Sequence, residues 1–368
     1  MNFKKKIIST IIFVLLFILA YLFVFKNYSI TEFLNTIKNC RYEYIIIAII
    51  CVFFWVFFEA LFFKIIFKKL NYKISWYQAF GYVFTEFYFS AITPSSTGGQ
   101  PVQMIEMRKD KIPYRISSII VLINTMFYKL SLILIVTVGF IVYHDKIKDF
   151  SSLFKGFSIF GYIITLAIAL FFLILIFSNK IITKLVNWFY KLLDKLKIRK
   201  NDSEKQKKLD ASIEEYKEAA KYIRKNYKVM FITFIVIFLQ RTSLLMVNYF
   251  IYKAFNIDSI SICFALTIQA FLTIAADFIP LPGGVIVSEA LLIEINNILQ
   301  ISSISKSITL VFRNINFYLL VLVSLIYYII FHYSKRKEAQ KITDNQEWLS
   351  VLFLTNYINW SSYFNPLI

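Results

Sequence analysis

Residues 116–143 read ISSIIVLINTMFYKLSLILIVTVGFIVY. A helix crosses the hydrocarbon of a bilayer with about 20 predominantly apolar residues. This run is longer than that, and Lys129 is its one charged side chain. The stretch therefore implies a membrane span with a cation inside it. Working outward, similar runs occur at Ile7–Phe25, Tyr44–Phe63, Phe157–Phe177, Val229–Tyr252 and Ser307–Phe331. They raise the apolar share of the 368 residues to 58%, above the roughly 45–50% of soluble domains, and the mean hydropathy to +0.64. The expected fold is all-α: a polytopic integral membrane helical bundle.

The net charge of +19 lies between the spans, as the positive-inside rule requires. Lys4, Lys5 and Lys6 precede the first run, which lacks a small-residue cleavage site. It reads as an uncleaved span with a cytoplasmic N-terminus. Lys64, Lys68, Lys69 and Lys73 form the next basic cluster, and Arg108, Lys109, Lys111 and Arg115 another. Segment 180–228 carries 15 Lys/Arg against 7 Asp/Glu, and Lys335, Arg336 and Lys337 follow the last run. One threading puts all of these on the cytoplasmic face of a bacterial cell membrane, with both termini inside. Within 180–228, Leu185, Trp188, Phe189, Leu192, Leu193 and Leu196 make one helical stripe. Leu209, Ile213, Tyr216, Ala220 and Ile223 make a second, as expected of amphipathic helices on the membrane surface. The expected organisation is a transmembrane domain over 1–335, with 180–228 as a cytoplasmic insert and 336–368 as a cytoplasmic tail. Anionic lipid or RNA could also attract such charge, but nucleic acid is not expected as a partner.

Four of the eight glycines and four of the six prolines fall in two short loops, 93–101 and 280–284. Each loop interrupts a partly apolar stretch, 76–107 and 259–301, that leaves one face and returns to it. These read as two broken re-entrant hairpins, one entered from each side, among about six full spans. Each unit is span, hairpin, span, and the two units point in opposite directions. Lys129 lies 30 residues after Gly99, and Arg313 lies 29 after Gly284. Both observations fit an inverted repeat, in which the site sits at the repeat interface. Irregular backbone at membrane depth needs protein or water around it, and the helix start after each break presents N–H donors suited to an anion. The loops also admit a plainer reading as tight turns.

Seven ionisable residues fall inside membrane segments: Glu59, Glu86, Lys129, Arg241, Asp277, Glu289 and Arg313. Each costs roughly 2.5–3.5 kcal/mol at a helix centre, so they need pairing or function. They can form internal ion pairs. Alternatively Lys129, Arg241 and Arg313 meet a lipid phosphate in a polar cavity, while Glu86, Asp277 and Glu289 bind a cationic head group or relay protons. The candidate lipid-binding set adds the loop residues Pro94, Gly98, Gly99, Gln100, Pro282, Gly283 and Gly284. Glu59 and Glu106 are expected nearer the cytoplasmic end, where solvation accounts for them. Cys40, Cys51 and Cys263 show no metal or disulfide spacing, and His144 and His332 stand alone at span ends. No phosphate-binding loop or nucleophile elbow is present, so no cofactor, metal or catalytic residue is expected.

The loop Thr93-Pro94-Ser95-Ser96-Thr97-Gly98-Gly99-Gln100-Pro101, followed by Met107-Arg108-Lys109-Asp110, resembles the first signature of the lysylphosphatidylglycerol synthase transmembrane family, a flippase-like group. Pro280-Leu281-Pro282-Gly283-Gly284 with Glu289 resembles its second signature. Val285, Ile286 and Val287 follow the glycines where relatives often carry a further small residue. The resemblance spans roughly residues 5–335. It implies a membrane domain that flips aminoacylated phosphatidylglycerol or handles related lipids. In full-length synthases a soluble C-terminal domain transfers lysine from lysyl-tRNA to phosphatidylglycerol, conferring resistance to cationic antimicrobial peptides. From the short stretch after the last span, such a domain is not expected here. The resemblance thus implies a flippase or lipid-binding transporter of phosphatidylglycerol-type lipids, with membrane phospholipids and a separate synthase protein as partners. Phosphatidylglycerol lysyltransferase activity and a non-catalytic membrane anchor are the alternatives.

Overall fold

The computed structural model describes residues 30–93, 96–178, 226–279 and 287–343, with isolated positions between 181 and 225. The expected first span Ile7–Phe25, most of segment 180–228, the chain beyond 343 and the loop residues Pro94, Pro280, Pro282, Gly283 and Gly284 lie outside the described residues. Among the described residues every regular element is helical. In chain order they are α1 (Ile30–Lys38), α2 (Tyr42–Lys69), α3 (Trp76–Ala91), α4 (Gly99–Lys109), α5 (Tyr114–Ile147) and α6 (Ser152–Phe177). Then follow α7 (Tyr227–Ala254), α8 (Ile262–Ala276), α9 (Val287–Ile298), α10 (Ser305–Arg313), a π-helical turn over Asn314–Tyr318, and α11 (Leu319–Thr343).

Five of the described helical stretches are long and apolar enough to cross a membrane: α2, α5, α6, α7 and the composite Ser302–Phe331. The chain is a multi-pass helical membrane protein. Its apolar outer faces fit that medium. Phe53 on α2, Ile141 on α5, Ile159 and Ile163 on α6 and Phe231 on α7 are all exposed, where lipid rather than water would meet them.

Helix ends follow local chemistry. Ser75 begins α3 with a capping box: its hydroxyl accepts from the Gln78 amide N–H while the Gln78 side chain accepts from the Ser75 N–H. Ser151 and Ser261 cap α6 and α8 in the simpler way. At the other ends, α2, α4, α7 and α9 each close with a left-handed residue: Asn71, Lys111, Asn256 and Gln300. The following N–H reaches back to the last helical turn, as Tyr72 does to the Phe67 carbonyl and Ile257 to that of Tyr252.

Helices α2 and α7 pack antiparallel along their lengths and form the most extensive pair. Arg41, at the head of α2, ties it to the foot of α7. Its N–H donates to the Ala254 carbonyl at 2.9 Å, and its guanidinium donates to the Lys253 carbonyl and to Asp258. Helix α8 lies against α5, α6 and α7. A Cβ on Gly161 of α6 would stand 2.0 Å from the Ile274 carbonyl oxygen of α8, so glycine lets the two backbones touch, as small residues do between membrane helices.

The pairs α3/α4 and α8/α9 flank the two Gly/Pro loops. Helix α4 runs back along α3: Gln103 Nε2 donates to the Tyr82 carbonyl at 3.1 Å, and the Tyr82 hydroxyl to Asp110 at 2.6 Å. With 16, 11, 15 and 12 residues, these four helices reach only about 16–24 Å at 1.5 Å per residue. None alone matches the ~30 Å hydrocarbon core.

Candidate functional site

A cavity of about 410 Å³ opens inside the bundle, where α2, α3, α4, α5, α7, α8, α9 and the α10–π junction converge. Both short-helix pairs reach it. Ser96 and Gln100 line it beside α3 and α4, and Asp277, Ile279 and Ser288 beside α8 and α9. The Ser90 hydroxyl donates to Glu86 at 2.8 Å, and Thr93 closes the loop by accepting from the Gly98 N–H at 2.9 Å while donating to the Phe89 carbonyl.

Of the residues singled out above, Gln100, Lys129, Arg241, Asp277 and Arg313 line this one cavity, as does Glu86. Gln100 is fixed by donating to the Thr125 hydroxyl at 2.7 Å. Lys129 donates to Asp277 at 2.8 Å across 148 positions of sequence, and the Tyr128 hydroxyl donates to the same carboxylate oxygen. Glu289 pairs with Arg313 at 2.7 Å. The Arg313 guanidinium also stacks on Phe317, 4.5 Å from the ring centre. Internal pairing therefore accounts for two of the three cations. Arg241 is the third. Its guanidinium lies 3.8 Å over the Tyr128 ring, and its buried Nε has no hydrogen-bond partner among the described residues.

Gly99 is the start of α4, and a Cβ there would stand 2.1 Å from Ser90 Oγ and 2.9 Å from Glu86 Oε1. The positive helix start thus faces a carboxylate of the protein itself. Glu289 stands in the first turn of α9, with its carboxylate turned to Arg313.

Glu59 and Glu106 depart from expectation. Both are buried, at 4% and 1% exposure, so solvent does not carry their charge. Glu59 accepts from Asn124 and Gln240 amides, each at 3.0 Å, and Glu106 pairs with Lys109 at 2.6 Å. Hydropathy places a carboxylate along a span but says nothing of which face it occupies. Asn124, Tyr128, Gln240, Gln269 and Trp55 also line the cavity. Their sequence signal is faint, because one amide or ring inside a long apolar run leaves the run long enough to span and carries no charge that demands a partner.

A bundle of membrane helices around a buried cavity lined by ion-paired and amide side chains defines a class: polytopic membrane proteins with an internal polar site. Residues 7–324 match the family model described as the lysylphosphatidylglycerol synthase TM region, and the chain belongs to that family. No curated protein matches the chain.

Proposed function

We propose that this protein is a lipid flippase or lipid-binding transporter of phosphatidylglycerol-type or lysyl-phosphatidylglycerol lipids, with a role in resistance to cationic antimicrobial peptides. The observation that carries the reading is Arg241. It is a guanidinium inside the cavity, 3.8 Å over the Tyr128 ring, with a buried N–H lacking any partner among the described residues. Such a donor is costly unless a ligand meets it, and a guanidinium suits a phosphate. Lys129 and Arg313 line the same cavity but are matched by Asp277 and Glu289, which leaves Arg241 as the cation open to an anionic head group.

Two short-helix hairpins support a transport reading. Their lengths suit re-entrant elements entered from opposite faces, and their flanks meet at one cavity, the arrangement of inverted-repeat transporters. On this reading the domain spans 1–335 of a bacterial cell-membrane protein with both termini in the cytoplasm. The 180–228 insert lies on the cytoplasmic surface, and a separate synthase supplies the lipid. The matching of Gly98, Gly99, Gln100 and Lys129 in the first unit to Pro282, Gly283, Gly284 and Arg313 in the second belongs to the same proposal, with Pro94, Asp277 and Glu289 beside them.

The test is leaflet exchange. Purified protein in vesicles should redistribute fluorescent phosphatidylglycerol or lysyl-phosphatidylglycerol between leaflets, read as the fraction open to an external quencher. Arg241→Ala should abolish exchange while Arg241→Lys retains part of it. No acceleration over protein-free vesicles for either lipid overturns the reading. Lysyl transfer from charged tRNA to phosphatidylglycerol by this chain alone would replace it with the transferase alternative.

A further inference from the structure

The ionisable side chains in and against the cavity do not balance. Glu59, Glu86, Asp277 and Glu289 are four carboxylates, against the three cations Lys129, Arg241 and Arg313. Asp277 takes Lys129 and Glu289 takes Arg313. That leaves Glu59 and Glu86 with Arg241, which is in electrostatic reach of both but in salt-bridge contact with neither.

The two carboxylates are not equivalent. Glu59 is buried and receives two amide hydrogen bonds, which suits the ionised form. Glu86 receives one hydroxyl, from Ser90, and faces the start of α4 at Gly99. The charged groups that bear on Glu86 are Glu59 from α2 and Arg241 from α7. Lys129 of α5 and Arg313 of α10 share its cavity. From α4, the Glu106–Lys109 pair stands more than a turn beyond Gly99, and α11 packs on α3 through the rings of Tyr327 and Tyr328.

A second observation concerns oxygen. Gln240 is 3% exposed and its Nε2 is committed to Glu59. Its Oε1 therefore has an assigned orientation, and it has no donor among the described residues. Gln269, 8% exposed, likewise leaves its Oε1 without a donor. Both side chains line the cavity. Unmet acceptors beside excess negative charge call for a positive ligand.

We propose that the cavity binds one monovalent cation from the aqueous ion pool, a proton or an alkali ion, at Glu86, and that lipid phosphate at Arg241 strengthens this binding. The second clause rests on the function proposed above. A phosphate engaging Arg241 removes the one counterion shared by Glu59 and Glu86, and the stranded pair recruits a cation. By linkage, the cation tightens the phosphate equally. A gradient of that cation could then drive the lipid.

Trp55 lines the cavity and reports on it, as the fluorescence difference between wild type and Trp55→Phe. One arm varies pH in choline chloride without sodium. The other adds NaCl against choline chloride at fixed alkaline pH. The expected result is a single saturable step in one arm, absent in Glu86→Gln. A proton site responds to pH alone, and an alkali-ion site responds to sodium in competition with protons. No step in either arm for the wild type overturns the proposal, as does an unchanged step in Glu86→Gln. Short-chain phosphatidylglycerol should shift the step toward tighter cation uptake. A step indifferent to that lipid sinks the phosphate reading of Arg241 and the coupling with it, while the cation site stands. Intact lipid exchange in a protein with no step sinks the cation site alone.

Discussion

Lys129 and Arg313 stand at matched distances after the two Gly-Gly pairs, and the protein uses them differently. Lys129 reaches from α5 to Asp277 at the end of α8, and that pair stays partly open, with side-chain exposures of 12% and 28%. Arg313 turns to Glu289 on the nearby α9, and that pair is sealed at 7% and 1%. One cation joins distant parts of the chain at the cavity wall, and the other joins two helices close in sequence. Similar spacing fixes only how far along a helix a residue sits. Its partner is decided by what the rest of the chain brings to that depth.

The largest effect should come from the sealed pair. Arg313→Ala strands a buried carboxylate and should cost about 3–5 kcal/mol, while Arg313→Ala with Glu289→Ala should recover much of it. Thermal unfolding of the detergent-purified variants reads both, and equal midpoints for the two would break the contrast. Next is the helix crossing that holds α8 in place. Gly161→Ala forces a methyl against the Ile274 carbonyl and should cost about 1–3 kcal/mol by overpacking, whereas Gly156→Ala, with open space around it, should be near neutral. Lys129→Ala should destabilise less than Arg313→Ala, because Asp277 keeps the Tyr128 hydroxyl and partial exposure. A loss as large as that of Arg313→Ala would show that the two pairs are energetically alike.

The smallest effect concerns Asp258. Hydrogen bonds from Lys253 and Arg41 hold its carboxyl below the usual range. A lowered folded-state value means that its contribution is present above the ordinary carboxylate range and fades as pH falls through the folded value. The midpoint difference between wild type and Asp258→Asn should therefore shrink on acidification. A constant difference would show that the carboxylate charge plays no part.

Much of the frame was legible. Tyr44–Phe63, Ile116–Tyr143, Phe157–Phe177 and Val229–Tyr252 each sit inside a longer helix, because an apolar run of span length has few other uses. The Gly/Pro clusters marked where helices stop. The site was legible as a set of charges and not as a set of pairs. The Lys129–Asp277 contact joins positions far apart in the chain, and no local pattern encodes it. Glu59 was misplaced for a related reason: Asn124 and Gln240, which make its burial tolerable, look unremarkable inside apolar runs. The non-glycine helix stops at Asn71, Lys111, Asn256 and Gln300 likewise carry no strong local sign.

The α2–α7 pair has a mechanical meaning. Arg41 fastens one end of it through backbone and side chain, and the Gln240–Glu59 bond pins it near mid-length. Glu59, Gln240 and Arg241 are thereby mounted on one beam. If the protein transports lipid as proposed above, the expectation is that this beam holds Arg241 in place while the shorter α3 and α4 carry Glu86 and Gln100 toward it or away, like a sliding contact on a fixed terminal.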